Sequence, residues 1–205
     1  MRQEQGRLDA ELVDAARRGD MNQLRACRGW GAEGVGTAMA AAAAGGHEDV
    51  VSECILWQAH DARDFERALA TAARAGRMGV MHLIHSHCDD EVDYDWPMAA
   101  AAYGGHAGAL RLCREWGAHD YERALAEAAG RGHEHIMRLC RDWGARDYDR
   151  ALVAAARRGR RREALVCLEW GATGVEAAIL AATEAGQSAT ANELRRSQAS
   201  DNLVD

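Results

Sequence analysis

RLCREWGAHDYERALAEAAGRGH, residues 111–133, returns 27 residues later as RLCRDWGARDYDRALVAAARRGR, residues 138–160. A register this strict over so short a span marks stacked supersecondary units, each too small to bury its own apolar face. The alanine that opens AAGRG in the first stretch and AARRG in the second serves as an anchor. It recurs as Ala15, Ala42, Ala72, Ala101, Ala128, Ala155 and Ala182, at intervals of 27, 30, 29, 27, 27 and 27.

Four residues after every anchor stands a glycine: Gly19, Gly46, Gly76, Gly105, Gly132, Gly159 and Gly186. A helix that ends in a left-handed turn selects this residue. Three before the anchor the side chain is apolar (Leu12, Met39, Leu69, Met98, Leu125, Leu152, Ile179). Seven before it stands Leu8, Val35, Phe65, Tyr94, Tyr121, Tyr148 or Val175. These spacings place the three positions on one face of a first helix.

Beyond the glycine a second helix follows, apolar nine after the anchor at Leu24, Val51, Met81, Leu110 and Met137. Twelve after it the column reads Cys27, Cys54, Ile84, Cys113, Cys140, Cys167 and Leu194, and three further on come Trp30, Trp57, Trp116, Trp143 and Trp170. Each unit is therefore helix, glycine turn, helix and short loop, and the paired alanines let neighbouring first helices approach closely. Residues 7–196 form a single repeat domain, with 1–6 and 197–205 as tails outside the register.

Composition agrees. The 205 residues are 48% apolar but 5% aromatic, with one proline against 21 glycines, which favours helices joined by glycine turns over sheets. The N-terminus lacks a secretory apolar core and no stretch is long enough to span a bilayer, so the expectation is a cytoplasmic protein with no membrane partner. A net charge of −7 argues against nucleic acid as a generic partner. Six cysteines without a CxxC pair, five in one helical register, read as reduced, buried thiols. No GxSxG, HExxH or glycine-rich phosphate loop occurs, so no catalytic residue and no cofactor is expected.

The phrases Gly46-His47, Gly105-His106 and Gly132-His133, the alanine pairs, the Trp-Gly-Ala ends and Pro97 just before Met98 together resemble the ankyrin repeat over roughly residues 7–196. The resemblance implies an all-α, ankyrin-type solenoid of seven helix-turn-helix repeats that binds proteins without catalysis. The usual unit is about 33 residues. The shorter unit here implies hairpin fingers trimmed to loops, in the style of the ankyrin arrays of large DNA viruses, whose partners would be host proteins. Self-assembly into a homo-oligomer or virion contact is the alternative.

In that family the ends of the first helices line a concave, partner-facing side. The resemblance thus makes Arg74, Tyr103, Arg131, Arg157 and Arg158 candidate partner-binding residues, although arginines at a helix C-terminus also complement its dipole. An acidic row (Asp64 and Glu66, Asp93 and Asp95, Asp120 and Glu122, Asp147 and Asp149) reads first as helix capping. Its second members Asp95, Glu122 and Asp149 are candidates for an acidic rim opposite the arginines. The tryptophan register favours packing; if exposed, Trp116 and Trp143 would serve as aromatic anchors. The irregular third copy gathers His82, His85, His87, Cys88, Asp89 and Asp90. Its spacing fits no zinc signature, so a helix end with a lengthened loop is expected and no metal.

Overall fold

A computed structural model describes residues 2–57, 62–88 and 92–201. Among them every regular element is a helix, and the helices come in seven pairs. The first helices are α1 (Arg2–Arg18), α3 (Val35–Gly45), α5 (Ala62–Ala75), α7 (Asp95–Gly104), α9 (Tyr121–Arg131), α11 (Tyr148–Arg157) and α13 (Val175–Glu184). The second helices are α2 (Met21–Gly29), α4 (Glu48–Leu56), α6 (Met78–His85), α8 (Ala107–Glu115), α10 (Glu134–Asp142), α12 (Arg161–Glu169) and α14 (Ser188–Asp201). The terminal helices α1 and α14 run past the repeat register into residues 2–6 and 197–201.

Local chemistry sets the boundaries. Asp20, Asp120 and Asp147 cap α2, α9 and α11, each accepting a hydrogen bond from the amide three residues on, at Gln23, Arg123 and Arg150. Such a cap satisfies an otherwise orphan donor of the first turn. Pro97 sits in the first turn of α7, where its missing N–H costs nothing. The lengthened loop of the third repeat separates α6 from α7, and within it Asp89 and Asp90 lie outside the described residues.

The seven-fold glycine column closes each hairpin. Gly105 has φ +79° and Gly19 has φ +74°, a backbone region that disfavours every residue with a Cβ. A second constraint applies at both sites. A Cβ on Gly105 would lie 2.8 Å from Cε1 of His133, and one on Gly19 would lie 2.6 Å from Nδ1 of His47. Each glycine therefore supplies both the turn and the floor on which the next repeat's histidine lies.

The chain groups into two compact units. The first comprises residues up to Ala101 with Gly108–Ala118; the second comprises Ala102–Ala107 and everything from His119 onward. In the first unit α1 packs on α3 and α3 on α5; in the second α9 packs on α11 and α11 on α13. Alanine makes this packing close: Ala42 and Ala43 in the first unit, and Ala128, Ala129, Ala155 and Ala156 in the second, are wholly buried. The apolar bulk comes from the columns that flank them, including Leu12, Met39 and Leu69 in the first unit and Leu125, Met137 and Leu152 in the second. Truncating one such side chain to alanine costs about 2–5 kcal/mol, since a core of alanines has little freedom to collapse into the gap.

Candidate functional site

Three recurring side-chain columns join one repeat to its neighbour, and they determine which surface residues remain for anything else. The first is the carboxylate six residues before the anchor. In the first unit Asp9 accepts from the amides of Glu33 and Gly34, at 2.7 and 3.2 Å. In the second, Glu122 accepts from Arg146 and Asp147 at 2.8 and 2.9 Å. Asp149 does the same with Thr173 and Gly174 at 2.6 and 2.8 Å, and takes the Thr173 hydroxyl at 3.1 Å. Each carboxylate fastens the loop of the following repeat. The Gly174 amide, ahead of the Thr173 amide and hydroxyl, holds the Asp149 carboxyl below the ordinary carboxylate range.

The second column lies five residues after the anchor and reaches back to the preceding repeat. The Nε2–H of His47 donates to the Arg17 carbonyl at 3.0 Å, and that of His133 to the Tyr103 carbonyl at 3.1 Å. Both carbonyls belong to the last turn of a first helix, where intrahelical donors run out. Burial, followed by repulsion from the neighbouring basic groups of His135, Arg131, Arg160 and His106, keeps His133 below its ordinary pKa.

The third column is the tryptophan. Within a repeat it meets the tyrosine that begins the first helix: Tyr94 with Trp116 at 5.5 Å in the first unit, and Tyr121 with Trp143 at 5.7 Å and Tyr148 with Trp170 at 5.6 Å in the second. These tilted and edge-on ring pairs clasp the open end of each hairpin. A planar group two residues before the preceding tryptophan position covers the ring. Arg141 lies 4.8 Å from the Trp170 centroid, and Arg28 lies 6.0 Å from that of Trp57. In the irregular repeat His85 takes this place, stacked on Trp116 at 4.1 Å with 14° between planes and hydrogen-bonded to the Tyr94 hydroxyl at 2.7 Å. His82 meets the same Trp116 ring edge-on, and His87 bonds the Leu83 carbonyl at 2.9 Å. These histidines serve the clasp, and no metal-binding group of three occurs among the described residues. Trp116 and Trp143 are accordingly half-buried, whereas Trp30, at 61% exposed, is the open member of the column.

The first-helix ends carry the remaining charge. In the first unit a groove of about 460 Å³ between α1 and α3 is lined by Asp9, Ala10, Val13, Asp14, Arg17, Gly34 and Thr37. Its one arginine is already paired, because Asp14 binds both Arg17 and the adjacent Arg18. Arg74 is exposed in the last turn of α5, and Asp95 opens α7 with its amide donating to Asp93 Oδ1 at 2.8 Å.

In the second unit the corresponding groove, about 280 Å³ between α9 and α11, is lined by Arg123, Ala126, Glu127, Arg150, Val153, Ala154, Arg157 and Arg158. Here the guanidinium groups converge. On α11, Arg150, Ala154, Arg157 and Arg158 follow the three-and-four spacing of one helical face. Arg123 enters from α9 opposite them. None of the four arginines has an ion-pair partner among the described residues. Beside the groove Arg131 stacks on Tyr103, 3.6 Å from the ring centroid, and Arg158 approaches the same ring at 5.7 Å. The structure therefore brings Tyr103, Arg131, Arg157 and Arg158 into one unit. It turns the carboxylates of Glu122 and Asp149 onto the scaffold's own loops, away from the role of an open acidic rim.

The cysteine column is packed into the scaffold. The thiols of Cys54, Cys113, Cys140 and Cys167 are buried, and burial pushes each up to about 12. A thiol held that high carries no thiolate near neutrality. Arg123 and Arg150 were absent from the sequence-level candidates; their shared register, five residues before the anchor, was the signal that could have found them.

No family model matches this sequence, and no curated protein matches it either. The structure is similar to the crystal structure of the human ASB11 ankyrin repeat domain, with a TM-score of 0.56 over 79% of this chain and 84% of that one, at 17% identity. That likeness, with the paired helices and glycine turns, establishes the fold as the ankyrin-type helical repeat.

Proposed function

We propose that this chain is a non-catalytic protein-interaction module, and that the first-helix groove of its second unit receives an acidic region of a partner protein. One observation carries the reading: Arg123, Arg150, Arg157 and Arg158 converge on a single groove with only Glu127 as a counter-charge. Such an excess steers an anionic surface into register and sets the salt dependence of association. An ankyrin-type scaffold suits the role, because its surface columns vary while its packing columns hold the architecture. The reading includes a reducing, cytoplasmic setting, supported by the buried thiols of Cys27, Cys54, Cys113, Cys140 and Cys167. It also includes a host protein as partner, in line with the short repeat period.

Affinity purification from the native cell, comparing the wild-type chain with an Arg150→Glu/Arg157→Glu variant, tests it. The expected outcome is a partner recovered with the wild type and lost with the variant, and rebinding as purified components with an affinity that falls as salt rises. Equal recovery on both baits would refute the groove as the binding face.

A further inference from the structure

We infer that the α9–α11 groove is a site for a phosphorylated side chain, the doubly charged phosphate being what its arginines are arranged to neutralise. This rests on the reading of the groove as a partner-binding face and specifies the chemistry it selects.

The argument begins with charge. Four arginines against Glu127 leave an excess of three positive charges around a groove of about 280 Å³. That volume lies at or below the lower end of pockets that bury drug-sized ligands, about 300–1,000 Å³, so it accommodates one or two side chains. Carboxylates, with one charge each, would have to enter in threes to balance the groove, and at that density they repel one another. A phosphate monoester brings about −1.5 to −2 charges and three strong acceptor oxygens in one group, covering half or more of that excess with a single side chain. Guanidinium forks match those oxygens in paired hydrogen bonds, which a lysine cluster would not.

The comparison within the chain shows that the excess is not a by-product of the architecture. The groove in the same register of the first unit is lined by two aspartates and one arginine, and its arginine is already paired with Asp14. Hairpin stacking makes a groove in both units, but only the second has an excess of cations in its lining. The walls also suit a side-chain stem: Ala126, Val153 and Ala154 form an apolar strip between the cations. Beside the groove the Arg131 guanidinium is already fixed on the Tyr103 ring and has little freedom left to lose on binding.

Fluorescence anisotropy with degenerate peptide pools tests the inference, the pools differing only in a fixed central phosphotyrosine, phosphoserine, glutamate or tyrosine. A phosphorylated pool is expected to bind at least tenfold tighter than the glutamate pool, and Arg150→Ala/Arg157→Ala is expected to remove that binding. Neither arginine is used in packing, and circular dichroism checks that the variant stays folded. An Arg17→Ala change in the first unit should leave binding intact. Affinity should also rise between about pH 5 and 7, as the phosphate sheds its second proton near pH 6.

Equal affinity for glutamate and phosphorylated pools, abolished by the double substitution, would overturn the phosphate assignment while leaving an acidic partner in place. Phosphopeptide binding indifferent to the double substitution, or no binding by any pool, would overturn the site. The partner-capture comparison stands apart from these outcomes and fails on its own terms.

Discussion

Replacing Gly105 with alanine isolates how the repeats are fastened. Alanine at φ +79° enters the left-handed region at a cost of about 1–2 kcal/mol. Its Cβ would also stand 2.8 Å from Cε1 of His133, so the ring must move off its floor. Moving it sacrifices the 3.1 Å bond to the Tyr103 carbonyl, a net loss of about 0.5–1.5 kcal/mol. The two effects together amount to about 1.5–3.5 kcal/mol. For a chain of this size each kcal/mol lowers Tm by about 2–4 °C. Urea denaturation followed by circular dichroism, run as a double-mutant cycle with His133→Ala, separates the components. With the ring gone, only the backbone cost should remain, giving a coupling of about 0.5–1.5 kcal/mol. Strictly additive effects would refute the claim that glycine and histidine share one space.

Other expectations follow from the same geometry. His133 sits below its ordinary pKa, so the unfolded chain binds its proton first; stability should be full above about pH 6.5 and fall as acid is added, and His133→Gln should flatten that part of the profile. Asp149 follows the same sign at lower pH: its contribution is complete above the ordinary carboxylate pKa near 3.9 and is lost as pH drops through its lower folded value, a loss that Asp149→Ala should abolish in acid titrations. Iodoacetamide at mildly alkaline pH should leave Cys54, Cys113, Cys140 and Cys167 unmodified until denaturant is added, as mass spectrometry of digests would register. Rapid native labelling of these four would contradict their burial.

Much of this molecule was legible from spacing. The anchor alanines, the glycine turn and the buried columns at Leu125 and Cys140 all recur at intervals that only a helical hairpin repeat satisfies. Capping by Asp120 and Asp147 was legible too, because a cap acts three residues away in the same chain segment. Periodicity is silent on contacts made to a different repeat. It places Glu122 and Asp149 on an edge but does not reveal that the amides of the next loop lie within reach. The same blindness hid the place of His85, read from spacing as part of a helix end before a lengthened loop, whereas it stacks on Trp116 of the following hairpin. Two of the groove's four arginines, Arg157 and Arg158, were legible at the end of their helix; Arg123 and Arg150 escaped for a different reason. Their shared register was visible in the sequence, but that they have no ion-pair partner among the described residues becomes visible only once each neighbour has a position.

The separation of columns has an evolutionary corollary. In the second unit the positions that carry turns, loop fastenings and ring clasps are distinct from those at Arg123, Arg150 and Arg157, which hold no neighbouring repeat in place. The corresponding register in the first unit tolerates Ala10, Thr37 and Arg17. Selection can therefore rewrite what the groove admits, one substitution at a time, without passing through unfolded intermediates. The chemistry of the groove is thereby free to change while the hairpins stay almost unaltered.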